Sequence, residues 1–317
     1  MRGATNRMNG RLSGPDPIFE AAIAQLRARV EQHLDAVTPG EPSPKKLAAA
    51  MRYSLLAPAK RARALLAILS AVHCGAQETD ALSAACALEM VHGSSLILDD
   101  LPVMDDAALR RGRPTCHRAY GEATAVLAAI ALMNRAFGLV ATDGHLPPER
   151  RVQIVAILAK SIGTDGLTGG QEGDLNGVAL SGADGVEWVH ARKTGALFAA
   201  ATEIGAVVAG MMDQRAAMYD FGMNLGLAFQ AYDDLIDAGA ATPAIGKDIG
   251  RDGEKATRVK LMGFDLALGH ADAQMEAALR SLPGLAAGDR ALPHYIAGLT
   301  AAMRGTLAGV TAPARHA

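Results

Sequence analysis

Aromatic residues are scarce in this chain: one Trp, five Tyr and six Phe make up 4% of its 317 residues. Alanine is abundant instead, which suits helices packed closely together. Cysteine is equally rare. Cys74, Cys86 and Cys116 are odd in number and scattered. That excludes a disulfide framework and a paired-cysteine metal site, and points to a reducing, cytoplasmic setting. No excess of one charge sign is present. The formal net charge of −2 gives no drive toward nucleic acid or an acidic membrane surface, so phosphate recognition must be local. The opening MRGATNRMNGRLSGPDP lacks the apolar core of a secretory signal, and residues 1–16 read as a disordered lead-in. Asp, Arg, Lys or Gly interrupts every run of membrane-spanning length, so stable membrane insertion is not expected. No segment shows convincing strand alternation.

The pattern that is present is helical. Phe19, Ile23, Leu26, Val30 and Leu34 step by three or four, the spacing of an amphipathic helix. Pro17 opens that helix and Pro39-Gly40 ends it. Further helices are expected from Pro44 toward Leu56, and over 64–72, 81–98, 117–141, 149–162, 185–210 and 213–236. Two or three more follow Gly263, broken at Pro283-Gly284. No linker or repeat divides the chain, so 17–317 reads as one all-α domain of ten or more helices. The Gly-, Asp- and Lys-rich stretch 239–257 is the main long loop and a candidate lid.

Two aspartate clusters stand out. DDLPVMDD at 99–106 precedes Arg110-Arg111-Gly112-Arg113, and QAYDDLID at 230–237 precedes Lys247. Crowded carboxylates repel and cost stability, and a lone acidic helix end is often just a solvated face. Two such ends, each after an apolar helix and before cations, suggest two walls of a site for divalent cations and a phosphate-rich ligand. Asp233 and Asp237, four apart, share a helix face and could hold one cation, with Asp234 turned about 100° away as a supporting group or a ligand of another ion. Asp99 and Asp105 would face apart on a straight helix, but Pro102 breaks it and lets the chain turn back. Lys60-Arg61-Ala62-Arg63 precedes an apolar helix whose N-terminus suits a phosphate. Lys193-Thr194 lies in an otherwise apolar run, and His92 lies seven residues before Asp99.

With those residues in view, the chain resembles the trans-isoprenyl diphosphate synthases (polyprenyl synthetases), and among them the bacterial geranylgeranyl diphosphate synthases of carotenoid pathways. Six ordered strings carry the likeness: KRAR from Lys60, MVHGSSLILDDLPVMDDAALRRGRPT from Met90, GGQEGDL from Gly169, HARKTGALF from His190, LGLAFQAYDDLID from Leu225 and GKDIGRDGEKAT from Gly246. The resemblance implies an isoprenoid synthase fold, helices around a central cavity, that joins isopentenyl diphosphate to an allylic diphosphate. It implies that Asp99, Asp105 and Asp233 bind Mg²⁺, with Asp100 and Asp237 supporting. About three Mg²⁺ ions are expected, with Mn²⁺ as a substitute. Arg110, Lys193, Thr194, Gln230 and Lys247 would hold the allylic diphosphate; Lys60, Arg63, His92 and Arg111 would hold isopentenyl diphosphate. The family association is a homodimer. Pro58-Ala59 and Ala64 depart from the usual Gly-Gly and Pro around the basic run, Leu98 replaces a common His, and Ala129-Ile130 replaces a common Gly-Asp.

Ser94 stands where shorter-product relatives carry a bulky ring, so a tunnel open beyond C15 is expected, with Val91 and Leu88 as its floor. That favours all-trans geranylgeranyl diphosphate, C20, over farnesyl diphosphate or longer products. A class I terpene cyclase fits less well, because aromatics are few and the second diphosphate site is retained. A non-catalytic partner subunit fits less well because both clusters are complete. An EF-hand calcium module fits worst, because its ligand spacing and central Gly are missing.

Overall fold

A capping carboxylate and a regular apolar stripe define the first helix, α1 (Pro17–Val37): Asp16 accepts from the Ile18 and Phe19 amides, and Ile23, Leu26, Val30 and Leu34 are buried. The structure, a computed structural model, describes residues 16–40, 44–239, 258–284 and 290–311. All of the proposed lead-in over 1–16 except Asp16, most of the candidate lid and Lys247 lie outside the described residues. After α1 come α2 (Lys45–Leu55), α3 (Ala62–His73), α4 (Glu78–Asp99), α5 (Cys116–Tyr120), α6 (Glu122–Ala141) and α7 (Pro148–Ile162). Then follow α8 (Leu167–Leu175), α9 (Ala183–His190), α10 (Ala196–Ala209), α11 (Arg215–Gly239), α12 (Arg258–Met262), α13 (Phe264–Ser281) and α14 (Ala291–Thr311).

The core is built on α3, α4, α10 and α11. α4 packs between α3 and α6, α10 packs on α3 and α11, and α13 and α14 cover α11. α3, α4 and α10 bury residues all round, in keeping with their unbroken apolar sequences.

Three sequence expectations need correcting. The helix expected over 117–141 is two, because the chain turns at Gly121 with φ +88°. The run over 185–210 is interrupted by a π turn at Ala191–Gly195. A small antiparallel hairpin, β1 (Leu109–Arg110) with β2 (Arg113–Pro114), occurs in a chain expected to have no strands. Its two-residue turn places Arg111 at φ 54° and Gly112 at φ 74°, the pattern of a type I′ turn. Strands of two residues are too short to show alternation.

Among the described residues, two helices are also apolar and long enough to cross a membrane, which the interruption argument had excluded: α4 and α6 have mean hydropathies of 1.4 and 1.7 over their most apolar stretches. The α4 stretch is 67% buried within the fold, as befits a core helix, against 33% for α6. The outer face of α6 exposes Leu127 and Ile130.

Small residues set how closely these helices approach. A Cβ on Gly205 would lie 2.5 Å from Ser70 Cβ and 2.7 Å from the Ala71 nitrogen, so α10 touches the α3 backbone. Gly205→Ala is expected to wedge the pair apart and cost about 1–3 kcal/mol. A lower urea midpoint at unchanged m-value would show it; an unchanged midpoint would contradict the contact.

Candidate active site

α4 carries its apolar sequence to Asp99 and stops, because Pro102 cannot continue a helix. The chain then folds back: the Asp105 amide donates to the Asp99 carbonyl at 2.9 Å and the Asp106 amide to the Leu101 carbonyl at 3.0 Å. Asp105 thus returns beside Asp99. Burial first, with Asp105 and Asp100 adding to it against Lys193, pushes the Asp99 carboxyl up to about 6. Asp100 turns away from that pair. It is 3% exposed and accepts from Arg110 Nε at 2.8 and 3.0 Å and from Nη2 at 2.6 Å. Such a fork fixes the guanidinium plane as well as its charge. Burial nevertheless outweighs Arg110 and raises the Asp100 pKa.

The hairpin turn sends consecutive arginines to different partners. Arg110 meets Asp100, while the pKa of Arg111 is lowered by burial and by Arg61 beside it. Arg111, His92, Leu96, Tyr53, Leu55 and Arg113 line part of an open cleft. Arg61, the middle cation of the basic run, is built in as a strut. It caps α3 from a left-handed conformation, φ 52°. Its side chain pairs with Glu31 at 3.5 Å and Glu89 at 3.6 Å, and donates to the Ala57 carbonyl at 3.0 Å. Glu89 also accepts from the Ala64 amide at 3.3 Å. Arg63 is thereby aimed inward, with Nη1 3.2 Å from His92 Nε2 and its guanidinium 5.0 Å from the Phe198 ring centre. Arginine only donates, so His92 Nε2 accepts and the imidazole is neutral. Burial, then Arg63, Arg111, Arg110 and Arg61, holds its pKa well below the usual histidine range. Lys60 is exposed at the start of this turn.

The third group of residues depends on a close approach of backbones. Gly170 lies against the π turn, where a Cβ would meet the Lys193 nitrogen at 2.6 Å, and a Cβ on Gly173 would meet the Trp188 ring at 2.4 Å. The glycines of GGQEGDL are what let α8 reach that turn. Lys193 then pairs with Asp174 at 2.8 Å. Thr194 donates to Gln230 Oε1 at 2.6 Å, and Gln230 Nε2 donates to Asp234 Oδ1 at 2.9 Å. Asp234 Oδ2 is buried without a hydrogen-bond partner, 3.5 Å from His190 Nε2. Burial, with Asp233 and Asp237 against the Gln230 bond, raises the Asp234 carboxyl to about 7. Burial and Arg258 lower His190 to about 4, so it is neutral.

These groups surround one space. Lys193 acts on Asp99 and Asp233 acts on Arg63 across it. The predicted ligands on α4, the hairpin, the π turn and α11 are therefore brought together. Arg61, Glu89, Asp174 and Asp234 complete the charge network; sequence reasoning gave Glu89 and Asp174 no role, took Arg61 only as part of the basic run, and left Asp234 as a supporting group or ligand of a further ion. Asp174 sat in a quoted motif and Arg61 in the quoted basic run. Leu88, Val91 and Ser94 are 0%, 1% and 0% exposed, and Ser94 Oγ donates to the Ala129 carbonyl of α6 at 2.8 Å. The tunnel expected to open beyond Ser94 is thus closed here, because α4 and α6 meet through small residues.

Among the described residues no three His, Cys, Asp or Glu groups form a closed metal cage. Mg²⁺ prefers one or two carboxylates plus phosphate oxygens to such a cage. Burial, more than neighbouring charge, raises the Asp99 and Asp234 carboxyls, and Asp234 Oδ2 has no hydrogen-bond partner among the described residues. The donor set fits hard divalent cations, with a phosphate ligand completing their coordination.

Those raised values set a pH dependence. Stabilisation tied to the protonated forms is complete below about pH 4, and is lost as pH rises through about 6 for Asp99 and about 7 for Asp234. Thermal melts in EDTA at roughly pH 5 and 8 should show wild type losing more stability than Asp234→Asn, which keeps an oxygen for Gln230 but cannot ionise. Parallel losses would remove this assignment.

The sequence profile of the polyprenyl synthetase family matches residues 44–281. Over 246 residues the chain is 42% identical to a geranylgeranyl diphosphate synthase of Pantoea ananas, covering 76% of this chain and 80% of the relative. A geranylgeranyl diphosphate synthase of Pseudescherichia vulneris is 40% identical over 265 residues, 82% and 84% of the two chains. Among solved structures, an FPP/GFPP synthase from Zymomonas mobilis superposes with a TM-score of 0.78 at 31% identity, over 88% of this chain and 97% of its own. With two acidic walls and their cations around one cavity, and likeness over most of its length, the chain belongs to the polyprenyl synthetase family.

Proposed function

We propose that this trans-prenyltransferase condenses isopentenyl diphosphate with an allylic diphosphate and releases geranylgeranyl diphosphate. The observation that carries the reading is the pair of separate cation sets beside the aspartates. Arg110, Lys193 and the Thr194–Gln230 pair engage the acidic walls directly, while Arg63, His92 and Arg111 gather at a cleft that Asp100 and Arg110 also line. Two diphosphates carry roughly six negative charges, and one set of cations would not hold both. A terpene cyclase has no use for the second set. The C20 product is favoured by the two bacterial relatives of that name; the small Ser94 admits the growing chain only if α4 and α6 part at the Ser94–Ala129 contact.

Arg110, Lys193, Thr194 and Gln230 orient the allylic diphosphate so that its C–O bond ionises and the electron pair leaves with the diphosphate. Mg²⁺ held by Asp99, Asp105, Asp233 and Asp237 would neutralise that developing charge. Lys60, Arg63, His92 and Arg111 place the double bond of isopentenyl diphosphate against the allylic carbon. A new C–C bond forms, and loss of a proton, with the departing diphosphate as acceptor, completes the step. The neutral His92 accepts from Arg63 in the ligand-free site. It becomes a donor to phosphate by turning Nδ1–H toward it or by gaining a proton. The apolar interior keeps water from the cation.

Three Mg²⁺ ions per site, Mn²⁺ as a substitute, a cytoplasmic location and a place in carotenoid formation belong to the same proposal. The three cysteines are unpaired, in keeping with a reducing compartment. A homodimer is proposed through the outer face of α6, where Leu127 is 56% and Ile130 is 51% exposed.

Purified protein with isopentenyl diphosphate, Mg²⁺ and each primer (dimethylallyl, geranyl or farnesyl diphosphate) should yield a C20 diphosphate by mass spectrometry. No condensation product would sink the enzyme assignment, and a cyclic hydrocarbon would favour the cyclase. Ser94→Phe should shift product toward C15, whereas Ser94→Ala, which loses only the bond to Ala129, should keep C20. An unchanged product from Ser94→Phe would place the length stop elsewhere.

A further inference from the structure

α11 ends in a way that helix electrostatics disfavours. Asp233, Asp234 and Asp237 crowd toward its C-terminus, where the helix dipole is already negative, and its last turn carries no basic residue. Something outside the helix must hold this end in place. On one side the Thr194–Gln230–Asp234 chain does so. On another side lies Tyr232, next in sequence to Asp233 and 0% exposed. Its hydroxyl donates to Asp272 on α13. Arg304 on α14 closes the ring, donating from Nε to the Tyr232 oxygen at 3.2 Å and from Nη2 to Asp272 at 2.7 Å. The phenol thus uses both its donor and its acceptor, and three helices meet at one point.

We propose that Tyr232, Asp272 and Arg304 are positioning residues that let the C-terminal helix α14 hold the second aspartate cluster in register for its metal ions. This rests on the proposed function for the identity of the ligand. Arg304 is partly exposed, with 55% of its side chain accessible, so replacing it leaves the core packing untouched. Tyr232→Phe keeps the ring and removes only the hydroxyl.

The test uses the whole chain and reads binding directly. Mn²⁺ is titrated in the presence of inorganic diphosphate and followed by electron paramagnetic resonance, and amide hydrogen exchange is measured over 228–239. Losing one or two hydrogen bonds of ordinary strength should weaken Mn²⁺ binding by about 3–10-fold in Tyr232→Phe and in Arg304→Ala. Exchange over 228–239 should quicken by a similar factor in both. Arg304→Lys, which retains a donor, should recover most of the loss, and KM for isopentenyl diphosphate should stay within about twofold of wild type. Wild-type Mn²⁺ affinity in both variants would overturn the proposal, even where the melting temperature falls, because the ring would then be structural only. If wild type itself binds no Mn²⁺ with diphosphate, the proposed function falls instead. The clamp is then judged by exchange alone, and unchanged exchange overturns it.

Discussion

Everything in this molecule answers to an imbalance of buried charge. Carboxylates are packed at the ends of two helices, α4 and α11, closer together than their own repulsion favours. Burial first, and the neighbouring carboxylates after it, raise Asp99 and Asp234 to about 6 and about 7. The fold does not neutralise them completely. It pairs Asp100 with Arg110 and Asp174 with Lys193, and leaves Asp234 Oδ2 unsatisfied. A site balanced by its own side chains would bind nothing. The remaining negative charge is what attracts cations and, through them, a diphosphate.

The opposite imbalance lies a short way off. Burial first, and then Arg63, Arg111, Arg110 and Arg61, keep His92 neutral. Glu31 and Glu89 pair with Arg61 and Asp100 forks Arg110, which leaves Arg63 and Arg111 to meet an incoming anion. Separating excess acid from excess base lets one cavity hold two diphosphates at different places. The rigid supports are backbone features: left-handed Arg61, Asp106 and Arg111, and the π turn at Ala191–Gly195. Each re-aims a side chain that a regular helix would direct elsewhere.

Much of this was legible in the chain. Helix spans followed from apolar spacing and from prolines, because those signals are local. Asp99, Asp105, Asp233 and the basic runs stood out because crowded charges are rare and costly. The hairpin was missed because two-residue strands carry no period. The break at Gly121 was missed because one glycine inside an apolar run is also tolerated in helices. The open tunnel beyond Ser94 was inferred from side-chain size alone. Its closure depends on how near α6 comes, and neither Ser94 nor Ala129 reports that separately.

By itself the sequence determined the all-α class, the two acidic helix ends and the cations that accompany them, because period, charge and helix breaks act over a few residues. Tertiary structure alone decided which partners those charges take. Asp100 and Asp99 are neighbours, yet one forks Arg110 and the other is acted on chiefly by Lys193 and Asp105. Arg61 and Arg63 are two apart, yet one is a buried strut and the other meets His92. Tyr232 reaches Asp272 and Arg304 from 40 and 72 positions away. Such pairings depend on the direction of each side chain and on the closeness of helices far apart in the chain, and both are set only when the whole core packs.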